Sequence, residues 1–80
     1  MPVIYILKSL KNYQTYTGWS SNLTQRFTDH NQGKVHATKH QRPFELLFTE
    51  EVASIQEAKK RECYWKSGAG RRKMKKLFAR

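Results

Sequence analysis

Cysteine is almost absent: Cys63 is the only one in 80 residues, so no disulfide can form within the chain. Small secreted domains usually rely on such bridges, so a reducing cytoplasm is the expected compartment. Acidic residues are also scarce, with six Asp and Glu against sixteen Lys and Arg. No apolar run approaches the roughly 18 residues that a membrane span needs. The first residues lack the basic-then-apolar order of a signal peptide, and no membrane association is expected. There is no repeat, linker or second domain, so residues 1 to 80 read as one domain with a thin core.

What is abundant is positive charge, a formal +10, and its placement says more than its total. Residues 1 to 58 carry six basic and five acidic side chains; residues 59 to 80 carry ten basic ones against Glu62 alone. The late set is Lys59, Lys60, Arg61, Lys66, Arg71, Arg72, Lys73, Lys75, Lys76 and Arg80. A field concentrated in the last quarter of the chain suits a polyanion laid along one surface. The alternative is a solvated basic tail, but Tyr64, Trp65, Met74, Leu77 and Phe78 interrupt it with apolar side chains. Lys59, Lys66, Arg71, Arg72, Lys73, Lys75 and Lys76 are the expected nucleic-acid contacts.

Residues 3 to 8 alternate around Tyr5 and are rich in β-branched and apolar types, which predicts a strand. "KNYQ" supplies a turn, and residues 14 to 18 pair back, with Gly18 ending the hairpin where a side chain would obstruct something close to the backbone. From Ser21 the pattern becomes helical: Ser21 or Asn22 caps, Gln25 follows Asn22 by three, and Gly33 stops the helix. Leu23, Arg26, Phe27 and His30 share one face. Residues 31 to 43 read as a polar loop, and "FELLF" at 44 to 48 is a third strand that can extend to Val52. Ser54 and Glu57 form a capping box for a helix with Ile55, Ala58, Glu62 and Trp65 on one stripe. "SGAG" breaks the chain before a short basic helix over about 71 to 78. The expected fold is α+β, a three-stranded antiparallel sheet flanked by helices in the order β-β-α-β-α-α.

Tyr5, Tyr16, Arg26, His30 and Glu62 are polar residues that the pattern sets beside apolar packing. Phosphodiester hydrolysis needs an activated water, neutralisation of charge on phosphate oxygens and stabilisation of the leaving oxygen. Glu62, the one acid expected to face inward, can hold a single Mg²⁺ or Mn²⁺ whose other ligands are water and phosphate. Arg26 offers a forked set of donors to phosphate. A phenolate on either tyrosine is favoured by nearby cations, and His30 offers a base or relay. Taken singly, each tyrosine also reads as strand packing, Arg26 as a partner of Asp29, and Glu62 as an ion-pair partner of Lys59 or Lys66. His36 and His40 with Cys63 hint only faintly at zinc.

These residues also carry a family resemblance. "VIYIL" and "YTG" stand where the two half-motifs of the GIY-YIG nuclease superfamily stand, and "NLTQRFTDHNQGK", "RPFELLFTEE" and "EAKKRECYWKSGAG" resemble its next helix, third strand and glutamate-bearing helix. The chain resembles the small single-domain bacterial members, with Val3 and Thr17 in place of a motif glycine and isoleucine. Trp19 stands where the excision-repair relatives carry lysine, and a late asparagine found in some catalytic members is missing. The resemblance implies a one-metal DNA endonuclease acting in repair or processing. It implies Tyr16 as base with Tyr5 in support, Gly18 for close backbone approach, Arg26 at the phosphate, His30 in an active-site place and Glu62 on the metal. The DNA can be branched or damaged and delivered by a protein partner. A module of the same fold that binds DNA or RNA without cutting, or a basic protein docked on a larger assembly, fits the same composition.

Overall fold

The computed structural model describes residues 1–78; Arg80, counted in the basic segment, lies outside them. The order is β1 (Val3–Ser9), β2 (Thr15–Ser20), α1 (Leu23–Gln32), a 3₁₀ turn (Lys39–Gln41), β3 (Phe44–Glu51), α2 (Ile55–Lys66) and α3 (Gly68–Phe78). The sheet is antiparallel throughout with strand order β2-β1-β3. It is the expected α+β arrangement, β-β-α-β-α-α. Among the described residues no helix is long and apolar enough to cross a membrane.

β1 lies in the middle and is covered on both faces, so its inward and outward residues are equally apolar. Alternation still sorts them. Ile4 and Ile6 join Val52, Ala58, Trp65 and Met74 in a core under α2 and α3. Tyr5 points to the other side of the sheet, where His30 of α1 meets it. Leu7 and Tyr16, and Tyr5 and Gly18, are cross-strand partners, so all four lie on the α1 side.

Several elements differ from the expectation. β2 does not end at Gly18 but runs on to Ser20, because Trp19 and Ser20 keep their pairing with Ile4 and Val3. The segment 31–43 is not simply a polar loop: Val35 and Thr38 are buried. Asn31 bonds both backbone groups of Phe44, accepting from its N–H at 2.7 Å and donating to its carbonyl at 3.4 Å. One amide thereby ties the end of α1 to the start of β3.

α3 begins at Gly68, three residues earlier than expected, with only Ser67 between the helices. The reason lies in Ser67 and Gly70. Ser67 Oγ accepts from Gly70 N–H at 3.3 Å, and the Ser67 carbonyl accepts from Arg71 N–H. A Cβ on Gly70 would lie 2.6 Å from Trp65 Cα. The glycine thus permits close contact between helices and does not interrupt the chain. Ile55, expected on the buried stripe of α2, is instead 49% exposed; its neighbours in the first turn are exposed too, and burial begins only at Ala58.

Candidate active site

Tyr5 and Tyr16 come from adjacent strands and meet edge to face with ring centroids 6.4 Å apart. His30, on the last turn of α1, faces both, 5.6 Å from the Tyr5 ring and 5.0 Å from that of Tyr16. Asn22 caps α1 by accepting from Gln25 N–H, and Gly33 closes it in the left-handed region at φ 79°. These two caps set where the helix begins and ends. Arg26, one turn before His30, then stands beside the Tyr5 hydroxyl.

The polar atoms are bonded to one another. Tyr5 Oη lies 2.9 Å from His30 Nε2, and His30 Nδ1 lies 2.8 Å from Thr38 Oγ1. Tyr5 is 1% exposed and His30 fully buried. Burial raises the Tyr5 pKa against the opposing pull of Arg26, and the charges of Tyr16 and Glu62 add to the rise. Burial, then the charge of Arg26, lowers the His30 pKa to about 4, with Asp29 opposing. His30 is therefore neutral at pH 7, which removes its expected convenience as a base near neutrality. Arg26 in turn is held more firmly protonated by the Tyr5 hydroxyl, against some desolvation.

Gly18 is the cross-strand partner of Tyr5, and the tyrosine ring lies flat over it. A Cβ there would sit 2.7 Å from Tyr5 Oη and 2.8 Å from two ring carbons. The glycine is what lets the phenol occupy this position.

Glu62 lies on α2, near enough for its charge to act on Tyr5. Its side chain is 27% exposed, with Lys66 Nζ 3.6 Å away, the i,i+4 pairing open to it from sequence. It is not the only acid turned inward. Glu50 of β3 is 26% exposed and accepts from Arg61 through both oxygens, at 2.8 and 2.9 Å, while Trp65 Nε1 lies at 3.4 Å. Those bonds, Arg61 foremost, hold the Glu50 carboxyl below its ordinary pKa. With Arg61 stacked over the Tyr64 and Trp65 rings, Glu50 is engaged within the fold, whereas Glu62 has the looser contact with Lys66.

Among the described residues no three His, Cys, Asp or Glu side chains converge, so His36, His40 and Cys63 do not assemble a zinc site. Glu62, half-buried and paired among the described residues only with Lys66, is of the chemical type that suits a hard divalent cation whose shell is completed by water and phosphate oxygens.

A groove of about 1230 Å³ runs from β2 to α3 and reaches Tyr16. Of the residues proposed from sequence to contact nucleic acid, Lys66, Arg71, Arg72 and Lys75 line this groove, and Lys8, outside the basic segment, lines it too. Three others expected there do not line it. Lys73 lies over the Trp65 ring at 5.9 Å, and Lys59 and Lys76 are exposed elsewhere on their helices. Thr38 was also missed, since a threonine eight residues beyond His30 in a loop has no periodicity to mark it.

The chain is similar to known proteins along nearly its whole length. A family model described as the GIY-YIG catalytic domain matches residues 1–76. A UPF0213 protein of Staphylococcus haemolyticus is 36% identical over 96% of this chain and 94% of its own. The UPF0213 protein YazA of Bacillus subtilis is 37% identical over 92% of this chain and 73% of its own. The solution NMR structure of a UPF0213 protein from Bacillus halodurans superposes with a TM-score of 0.57 at 30% identity, covering 96% of this chain and 85% of that one. With a family match across nearly the whole chain and relatives of similar length, the protein belongs to the GIY-YIG domain family, a family of nucleases.

Proposed function

We propose that the protein is a divalent-metal-dependent endonuclease that hydrolyses DNA phosphodiester bonds in repair or processing. The observation that carries this reading is the grouping of Tyr5, Tyr16, Arg26 and His30, of which Tyr16 lines a basic groove. Exposure divides the roles. Tyr16 is half-buried and lines the groove, so it is the phenol that can reach an attacking water and take its proton. Tyr5 is sealed, and both ring nitrogens of His30 are engaged, which argues against either as the base. Arg26 binds phosphate oxygens while Tyr5 and His30 hold the cluster in shape. Glu62 would hold one Mg²⁺ or Mn²⁺, which supplies charge neutralisation at the phosphate and the leaving oxygen. Lys66, Arg71, Arg72 and Lys75 track the backbone. Backbone contacts position DNA without reading sequence, which fits recognition of branched or damaged DNA, or delivery by a partner. The exposed thiol of Cys63 suits a reducing compartment such as the cytoplasm.

One observation favours the alternative, a module that binds nucleic acid without cutting: Lys66 already lies across Glu62. Glu62→Gln separates the two. With Mg²⁺ or Mn²⁺, cleavage of duplex, single-stranded and branched DNA should fall on the order of 100-fold or more, with DNA affinity within about twofold. Binding without cleavage by the wild type on all three substrates would establish the binding module instead.

A further inference from the structure

The bonds around His30 form a chain whose direction is set by its two ends. At one end stands Arg26, a guanidinium with donors only, beside Tyr5 Oη. At the other stands the Val35 carbonyl, an acceptor only, 3.5 Å from Thr38 Oγ1. Between them run Tyr5, His30 and Thr38, each 1% exposed or less. The Tyr5 hydroxyl proton has one acceptor among the described residues, His30 Nε2. That nitrogen must then be unprotonated, which in a neutral ring places the proton on Nδ1. Nδ1–H donates to Thr38 Oγ1, and the threonine proton goes to the Val35 carbonyl. Run the other way, the chain leaves the Tyr5 O–H without a partner in a buried site, where an unmade bond is costly.

We propose that Thr38 is a positioning residue of the active site. By accepting from His30 Nδ1–H it holds the ring where Nε2 takes the Tyr5 O–H and the phenol oxygen presents its lone pairs to Arg26. The threonine touches neither phosphate nor metal; it acts through His30 and Tyr5 on the aim of the guanidinium. Its part in turnover rests on the nuclease reading above, whereas the tautomer does not.

Nitrogen-15 NMR of the His30 ring in the metal-free protein at pH 7 reads the tautomer without any cleavage. Protonated Nδ1 is expected in the wild type, in Thr38→Ser and, because Tyr5 still needs Nε2, in Thr38→Val. In Thr38→Val, which keeps the shape but removes the acceptor, the Nδ1–H proton resonance should move upfield as its hydrogen bond is lost. In cleavage assays Thr38→Val should lower kcat about 10- to 100-fold, the range for a residue that orients another. KM should be little changed, and Thr38→Ser should restore kcat. Protonated Nε2 in the wild type overturns the proposal even if Thr38→Val fails to fold. So does a Thr38→Val protein that keeps both the hydrogen-bonded Nδ1–H resonance and full kcat, or a Thr38→Ser protein that loses either. Should the wild type cut no DNA, the nuclease reading fails, and the tautomer still decides the hydrogen-bond assignment.

Discussion

His30 is a histidine that does not charge where histidines ordinarily do. Its pKa is lowered to about 4 from 6.5, so between those values an unfolded chain binds a proton that the folded one does not. Stability therefore falls as the pH drops through that window. The full difference is about 3 kcal/mol, of which about 2 kcal/mol is lost between pH 7 and pH 5. Urea midpoints across that range should show the decline, and His30→Gln should flatten it. A wild-type midpoint constant from pH 7 to 5 would contradict the buried, neutral ring. Much of this cluster was legible from sequence: Arg26 and His30 lie four apart on a capped helix, and two tyrosines alternate in adjacent strands. What sequence could not show was the state of the groups. The low pKa of His30 comes from burial and from a guanidinium one turn back, and its second partner is a threonine in a segment without period. Glu50 escaped for a similar reason, since an acid in a strand looks solvent-facing until Arg61 arrives from a helix eleven residues later.

The junction between α2 and α3 shows the same limit at the level of elements. "SGAG" has the composition of a chain break, but one serine cap turns it into the first turn of a helix. The strands, by contrast, followed from alternation and the central helices from their caps, because those signals are local. The glycine at 70 is there for its missing side chain, with Trp65 backbone occupying the space. Gly70→Ala should push α3 away from α2 and cost about 1–3 kcal/mol, seen as a lower thermal midpoint. Because α3 carries Arg71, Arg72 and Lys75 into the groove, the same variant should also bind DNA more weakly. Gly68→Ala, with only the end of the Arg72 side chain nearby at 3.4 Å, should leave both properties almost unchanged.

Across the whole molecule, the concentration of charge in residues 59 to 80 resolves into a divided surface. Some of these cations face the groove, whereas Arg61 and Lys73 are held over aromatic rings. Counting charge identified the segment but not this division, which depends on how α2 and α3 cross. Replacing Arg71, Arg72 and Lys75 together by Gln should reduce DNA affinity and shorten the slope of log affinity against log salt by about 2 to 3 units, close to one for each phosphate no longer neutralised. Replacing Lys59 and Lys76 should change affinity less. An equal effect from the two sets would mean that the field acts as a whole and not through the groove.

The order in which the proposed site is encoded has a consequence for synthesis. Tyr5, Tyr16, Arg26 and His30 all precede β3, but Glu62 and the cations of α3 come in the last nineteen of 80 residues. A ribosome-bound fragment stopped before α2 has the phenols and the guanidinium but neither the carboxylate nor the basic wall of the groove. On the proposed chemistry, truncated chains would be harmless to the genome of the cell that makes them. Cutting ability would arrive late, with the docking of the final two helices.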